Sequence, residues 1–197
     1  MKYLSYFIFI GFIAALLLFL KNALEPKEEP VLITGSDKCN ECHPLQSLGN
    51  QMVRWQISRH RAAYISLQSQ LAKDFTAKNN IPEPVKNEMC LGCHTTSGFL
   101  KGFQLQASYK IEEGVGCEGC HGAGSKYSPA EIMKDEALYK RNGGIVGDEK
   151  LCLECHSPKA NIEQKLSEDA CPFQEEDFNY KPAFEKIKHP VNRDNFK

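Results

Sequence analysis

The chain has 197 residues, a length that suits one domain or two small ones. Its formal net charge is -1, which excludes the broad basic surface typical of nucleic-acid-binding proteins. Nine cysteines are present, but eight of them form pairs separated by two residues and followed by histidine, which excludes a disulfide framework.

The first predicted element is an apolar run of 17 residues from Leu4 to Leu20. As a helix it would be about 25 Å long, near the lower limit for crossing a bilayer. A cleaved signal peptide would have a shorter apolar region and a small-x-small site, which the stretch from Leu20 to Leu24 lacks. With Lys2 on its cytoplasmic side, the run predicts an uncleaved anchor in the inner membrane.

The pattern Cys-x-x-Cys-His occurs four times after this run. In such a motif the two thiols form thioethers with the vinyl groups of a haem, and the histidine is the proximal ligand of the iron. Zinc ribbons also use cysteine pairs, but they need no histidine directly after the second cysteine. The sequence therefore predicts four haem c groups, attached through Cys39, Cys42, Cys90, Cys93, Cys117, Cys120, Cys152 and Cys155, with His43, His94, His121 and His156 as proximal ligands. Haem attachment of this type also predicts an extracytoplasmic protein, periplasmic if it is bacterial.

Four haems are large apolar plates that a short chain can wrap in place of a side-chain core. We therefore predict a mainly α fold with long loops and little β structure, a small multihaem cytochrome c built around four covalently attached haems. The predicted organisation is an anchor or uncleaved signal at residues 1–23, a charged, proline-containing linker at 24–30 and a tetrahaem domain at 31–197. Cys171 stands outside the motifs and is interpreted as a buried or free thiol.

A long helix is predicted from Leu45 to Phe75, because apolar residues recur there at helical spacing. His60 falls within this apolar stripe, and we interpret it as a distal haem ligand because spare histidines are few. Further along, the segment from Phe99 to Ile111 predicts a short hairpin, since aromatic and β-branched residues partly alternate there.

Glycines flank the third motif, from Gly114 to Gly124, and they predict close packing of two haems with the backbone against a porphyrin face, with a plain turn as the alternative. Ser128 and Glu131 predict a capping box that starts a helix ending near Asn142.

A last short helix is predicted from Pro182 to His189, where Pro190 stops it. We interpret His189 as a second distal haem ligand.

Four irons offer eight axial positions, and the chain has six histidines. The four motif histidines, His60 and His189 would fill six positions, so at least two irons need another ligand or stay open. Methionine is the usual alternative, and Met133 is the best candidate because it lies on the predicted helix soon after the third motif. Met52 is interpreted as core, whereas an empty or water-filled position remains an alternative to Met133.

The chain resembles the cytochrome c554 family. The resemblance depends on the first motif followed by His60, on the run from Gly114 to Gly124 around the third motif, and on the segment from Phe178 to His189. That family contains the tetrahaem carrier that accepts electrons from hydroxylamine oxidoreductase in ammonia oxidisers. The resemblance extends over roughly residues 38 to 191 by motif order and spacing.

The resemblance implies which histidines share an iron: His60 would oppose His156, and His189 would oppose His121. It also implies an open position on the His94 iron. The family places a distal histidine for the first haem after the third motif, where this chain has none between Ser125 and Lys140. Met133 lies in that segment and would replace it on the His43 iron.

The predicted function is a multihaem c-type cytochrome that carries electrons between periplasmic or membrane redox partners of a respiratory chain, rather than an enzyme. The expected partners are a protein electron donor and a protein acceptor, together with the membrane through the N-terminal helix. One alternative is a membrane-anchored quinol dehydrogenase of the tetrahaem type. Another is reduction of a small ligand such as nitric oxide at an open haem.

Overall fold

The computed structural model describes residues 29–157 and 178–189, together with residues 11, 13, 16, 17 and 20. The chain divides into two compact units, Met1–Pro30 and Val31–Lys197. Most of the predicted anchor and Cys171 lie outside the described residues. Among the residues that are described, no helix has both the length and the apolar character needed to cross a membrane.

The described part of the chain is mainly helical, as predicted, and its helices are short. They are α1 Ser36–Cys39, α2 Gln51–Gln56, α3 Ala63–Ser66, α4 Gln70–Lys78, α5 Glu88–His94, α6 Thr96–Phe99, α7 Cys117–His121, α8 Ala130–Met133, α9 Glu136–Arg141, α10 Glu149–Leu153 and α11 Tyr180–Ile187. Single 3-10 turns lie at Gln46–Leu48, Pro84–Lys86 and Ile111–Glu113.

The predicted hairpin between Phe99 and Ile111 is wrong. The strand in that segment, β2 (Gln104–Leu105), pairs in parallel with β1 (Leu32–Ile33) near the start of the domain. Parallel pairing cannot form across a tight turn, so the partner must come from a distant part of the chain. Local alternation of side chains predicted a strand but carried no information about its partner.

The predicted continuous helix from Leu45 to Phe75 is also wrong, because the structure has three separate helices in this segment, α2, α3 and α4. Helix α2 ends at Gln56, and the hydroxyl of Ser58 donates to the Trp55 carbonyl (2.7 Å), which competes with a helical hydrogen bond. The His60 carbonyl accepts a hydrogen bond from the Val115 amide (3.0 Å), a tertiary contact. His60 therefore lies in a turn that is fastened to the segment preceding the third motif.

The segment after the third motif contains two short helices where one was predicted. Ser128 forms no capping box, because α8 starts after Pro129 without a side-chain cap. Asp135 starts α9 instead, and its carboxylate accepts from the amides of Ala137 (2.8 Å) and Leu138 (3.0 Å). Near the C-terminus, α11 ends at Ile187, and His189 lies just beyond that end.

The buried interior of the described chain is rich in polar residues. The apolar side chains that are fully buried are few: Ile33, Met52, Leu67, Ala123 and Tyr127. Thr34, Ser36, Thr95, Thr96, Glu113 and Glu118 are equally buried. These polar side chains hydrogen-bond the segments around the first, second and third motifs to one another, so the interior is a hydrogen-bonded frame.

Candidate haem sites

Each Cys-x-x-Cys-His motif forms one helical turn. The second and third motifs lie within α5 and α7, and the fourth begins in α10. In the first motif the His43 amide donates to the Cys39 carbonyl (3.0 Å), and in the fourth the His156 amide donates to the Cys152 carbonyl (2.9 Å). The histidine therefore follows the first cysteine by one turn in all four motifs.

Three motif histidines have one ring nitrogen held by an oxygen acceptor. His94 Nδ1 lies 2.8 Å from the Ala63 carbonyl, and His121 Nδ1 lies 3.1 Å from the Ile145 carbonyl. His43 Nδ1 lies 3.3 Å from Gln51 Oε1. A carbonyl can only accept, so His94 and His121 carry their proton on Nδ1, and Nε2 is free to ligate a metal.

The histidine environments favour the neutral imidazole, which is the form that ligates iron. Burial lowers the pKa of His94 and of His121 against the opposing effect of their carbonyl partners. Burial also lowers the pKa of His60, with a further contribution from the neighbouring His156. The pKa of His189 is lowered by burial and then by the proximity of His121.

The two histidines outside the motifs each lie opposite a motif histidine. The ring centres of His60 and His156 are 6.0 Å apart, and those of His121 and His189 are 5.8 Å apart. Two imidazoles on opposite sides of one metal ion would have ring centres about 6 Å apart, given metal–nitrogen bonds of about 2 Å. Both pairs match the spacing of axial ligands on a shared iron.

His189 also has a buried ring nitrogen, Nδ1, with no hydrogen-bond partner. Burying a polar nitrogen without a partner costs about 1–3 kcal/mol, so such atoms indicate a missing ligand or solvent contact. A haem beside His121 would account for this environment.

The motifs approach one another through their cysteines. The thiols of Cys39 and Cys117 are neighbours, and their interaction together with burial raises the pKa of the Cys39 thiol. The thiols of Cys155 and Cys93 are also neighbours, and their interaction together with burial raises the pKa of Cys155. Burial raises the pKa of Cys120 to about 11, with a contribution from Cys152. The attachment segments thus follow each other in space in the order first, third, fourth and second.

The described chain exposes large apolar side chains that a soluble protein usually covers. Ile57 is 79% exposed and Val146 72% exposed, and Leu45, Val53, Ile65, Leu71, Phe103, Leu105, Ile145 and Leu153 are also exposed. Haem supplies apolar surface for such side chains, so the polypeptide fits covalently attached haem. No group of three or more His, Cys, Asp or Glu side chains within residues 29–157 and 178–189 is arranged to hold a metal ion directly.

Met133 is half-buried on α8, and its amide donates to the Pro129 carbonyl (3.0 Å). Its assignment to the His43 iron stays a prediction. Met52, interpreted as core, is indeed buried, with 3% of its surface exposed. Its amide donates to the His43 carbonyl (3.1 Å), so it steadies the first motif through the backbone.

Sequence reasoning missed two buried carboxylates beside the first and third motifs. Glu118 accepts hydrogen bonds from the amides of Thr34, Gly35 and Gly124, and Glu113 accepts from the Ser36 amide (2.9 Å) and hydroxyl. Desolvation raises the pKa of Glu113. The position of Glu118 between two motif cysteines was visible in the sequence, but an acid at that position gives no signal of burial.

Sequence reasoning also missed Tyr139. Its hydroxyl donates to the Ile145 carbonyl (2.6 Å) and lies 3.3 Å from His121 Nδ1. Tyr139 therefore helps to hold the same carbonyl that orients the His121 ring.

Part of this chain is similar in sequence to known cytochromes. The family model described as cytochrome c554 and c-prime matches residues 38–122, which contain the first three motifs. Cytochrome c-554 of Nitrosomonas europaea is 27% identical over 138 residues, or 62% of this chain, and the chain spans 56% of that relative's length. Among solved structures, the reduced state of cytochrome c554 from Nitrosomonas europaea has a TM-score of 0.45 and 21% sequence identity, covering 77% of this chain and 86% of that chain. Over the segment that contains its first three Cys-x-x-Cys-His motifs, this chain is therefore similar to the cytochrome c554 family.

Proposed function

We propose that this chain is a tetrahaem relay that carries electrons between a protein donor and a protein acceptor on the extracytoplasmic side of a membrane. The observation that carries the proposal is the contact between attachment segments. Cys39 lies against Cys117, and Cys93 lies against Cys155. Cys120 lies near Cys152, which connects the two pairs of segments. Electron tunnelling falls steeply with distance, so neighbouring attachment sites suit a continuous path.

Each bound haem supplies a ferric–ferrous couple whose potential depends on its axial ligands. The chain's residues attach these groups and hold them at fixed separations. His60 and His156 would share one iron, and His121 and His189 another, in agreement with their spacing of about 6 Å. The carbonyls of Ala63 and Ile145 orient the rings of His94 and His121, so these side chains are set before a redox change.

The irons of His43 and His94 have no further histidine available, because the chain contains six. We assign Met133 to the His43 iron and leave the His94 iron five-coordinate. Two bis-histidine haems and one Met-ligated haem would differ in potential, since methionine ligation raises it. Such a spread of potentials suits directional transfer. The same five-coordinate iron favours a second candidate function, binding and reduction of a small ligand such as nitric oxide.

The location is part of the proposal. We assign the chain to the periplasmic face and attribute its retention there to the apolar run from Leu4 to Leu20. The support for this anchor is the length of the run and the absence of a cleavage site. A purified native chain that begins near Met1 and stays with the membrane fraction would agree with the assignment. A mature start near Leu24 in the soluble fraction would contradict it.

The test of the relay is a haem count followed by ligand-deletion spectra. Mass spectrometry of the mature protein should show four covalently attached haems. His60→Ala and His189→Ala should each convert one low-spin ferric haem to high spin in the electron paramagnetic resonance (EPR) spectrum, with four haems retained. Fewer than four haems, or no spin change in either variant, would refute the proposed ligand set. Carbon monoxide binding to the reduced wild type tests the His94 iron separately.

A further inference from the structure

Glu118 is a buried acid in the hydrogen-bonded frame that joins the segments around the first, second and third motifs. It lies between Cys117 and Cys120, and only 1% of its surface is exposed. Its Oε1 accepts from the amides of Thr34 (2.8 Å) and Gly124 (2.6 Å), and its Oε2 accepts from the Gly35 amide (2.7 Å). None of the ion pairs found in the described residues includes Glu118.

The donors around Glu118 are suited to a carboxylate and not to an amide. Both oxygens face N–H groups of the backbone, which can only donate, and the Thr34 hydroxyl donates a further bond (3.2 Å). A glutamine would turn its NH₂ group against at least one of these amides. Several converging backbone N–H groups form a site for an anion, so they stabilise a negative charge without a neighbouring cation.

The site joins the first and third attachment segments. Thr34 and Gly35 directly precede α1, which ends at Cys39, whereas Glu118 belongs to α7 of the third motif. The two partners are 84 and 83 residues apart in sequence. Gly35 connects the carboxylate to the first motif, because its amide donates to Glu118 (2.7 Å) and its carbonyl lies 3.9 Å from the Cys39 sulfur.

We propose that Glu118 is a positioning and potential-setting residue of the relay: its carboxylate holds the first attachment segment against the third, and its buried charge lowers the reduction potentials of the haems attached there. A fixed anion stabilises the ferric state over the ferrous state, because the ferric haem carries one more positive charge. This inference rests on the proposed function, in which both motifs carry haem.

Glu118→Gln tests the charge at nearly constant shape, and Glu112→Gln is the matched control because Glu112 is an exposed acid in the same part of the chain. A unit charge about 10 Å from an iron, at an effective dielectric constant of about 20, corresponds to roughly a tenfold change in the ferrous-to-ferric ratio. Potentiometric titration followed by EPR should show this shift toward ferrous in Glu118→Gln for the haems of the first and third motifs. The shift should stay below twofold in Glu112→Gln.

The covalent haem count separates the two proposals. If the wild type carries fewer than four haems, the tetrahaem function is wrong. This inference is then overturned only if the motif without haem is the first or the third. A Glu118→Gln protein with four haems and wild-type potentials also overturns it.

Glu118→Asp decides the case in which the glutamine variant fails to mature. The aspartate keeps the charge, and we expect it to retain four haems with potentials within threefold of the wild-type ferrous-to-ferric ratio. Equal haem loss in the aspartate and glutamine variants would show that only the side-chain length matters, and the charge role would be wrong.

Discussion

Gly114→Ala should displace His60, the proposed distal ligand of the His156 iron, although Gly114 and His60 are 54 positions apart in the chain. Gly114 has a φ of +70°, in the region that favours glycine. A Cβ at this position would lie 2.6 Å from the His60 carbonyl oxygen, 3.0 Å from the Arg61 carbonyl oxygen and 3.2 Å from the Ala63 nitrogen. All three are backbone atoms of the turn that carries His60, so a methyl group must push this turn away.

The expected cost has two parts. Holding alanine at an unfavourable backbone conformation costs about 1–3 kcal/mol. Overpacking against the turn costs about 1–3 kcal/mol more, unless the turn moves. The turn is held by the bond from the Val115 amide to the His60 carbonyl (3.0 Å), and one such bond contributes about 0.5–1.5 kcal/mol. Because this bond is weaker than the combined strain, we expect the turn to move and His60 to leave its position opposite His156.

The assay is the ferric EPR spectrum of the mature protein, with the covalent haem count as a check on maturation. Gly114→Ala should add one high-spin haem, the same change that is expected of His60→Ala. Gly102→Ala is the matched control, because Gly102 has a φ of +90° but no atom within 4 Å of the added Cβ. It should lose stability from backbone strain and keep the wild-type spectrum. A Gly114→Ala protein with four haems and an unchanged spectrum would refute this account of how His60 is held.

Met133→Ala should remove the methionine–iron charge-transfer band at the red edge of the ferric spectrum, and persistence of the band would eliminate Met133 as a ligand. Thr96→Val should reduce the free energy of unfolding of the holoprotein by about 1–3 kcal/mol in denaturant titrations. The buried Gly116 amide, 2.7 Å from the Thr96 hydroxyl, would lose its acceptor. A change below about 0.5 kcal/mol would contradict this role. Glu113→Gln should change the pH dependence of stability. Desolvation raises the pKa of Glu113 in the folded state. Above the unfolded pKa of about 4.3, the folded state therefore binds more protons than the unfolded state, and stability falls as pH rises through the folded pKa. The glutamine variant should show a smaller decline than the wild type between about pH 4 and pH 7, and parallel curves would show that Glu113 is not responsible.

The local chemistry could be predicted from the sequence because each attachment motif is complete within five residues. A helical turn places the cysteines and the histidine, and no distant contact is needed to form it. For the same reason the mainly helical class followed from composition and short-range pattern. The number of histidines also limited the ligands available to the four predicted irons, since this limit is a count and does not depend on the fold.

Longer elements were predicted less well, because tertiary contacts changed them. The apolar spacing from Leu45 to Phe75 predicted one helix, but the Val115 amide bonds the His60 carbonyl and holds a turn there. The alternation before Ile111 predicted a hairpin, but the partner strand lies near the start of the domain. In both cases the decisive hydrogen bond joins residues that are far apart in the chain.

By itself, the sequence determined the kind of cofactor, and it predicted the proximal ligands and the limit on the others. The family resemblance had already implied the pairs His60 with His156 and His189 with His121, and the structure brings each pair of rings to within about 6 Å. Only the tertiary structure decided that Glu118 meets the residues before the first motif. The physical reason is range. Covalent attachment and helical turns are short-range properties, whereas ring spacing and the burial of a carboxylate depend on packing between segments up to 96 residues apart.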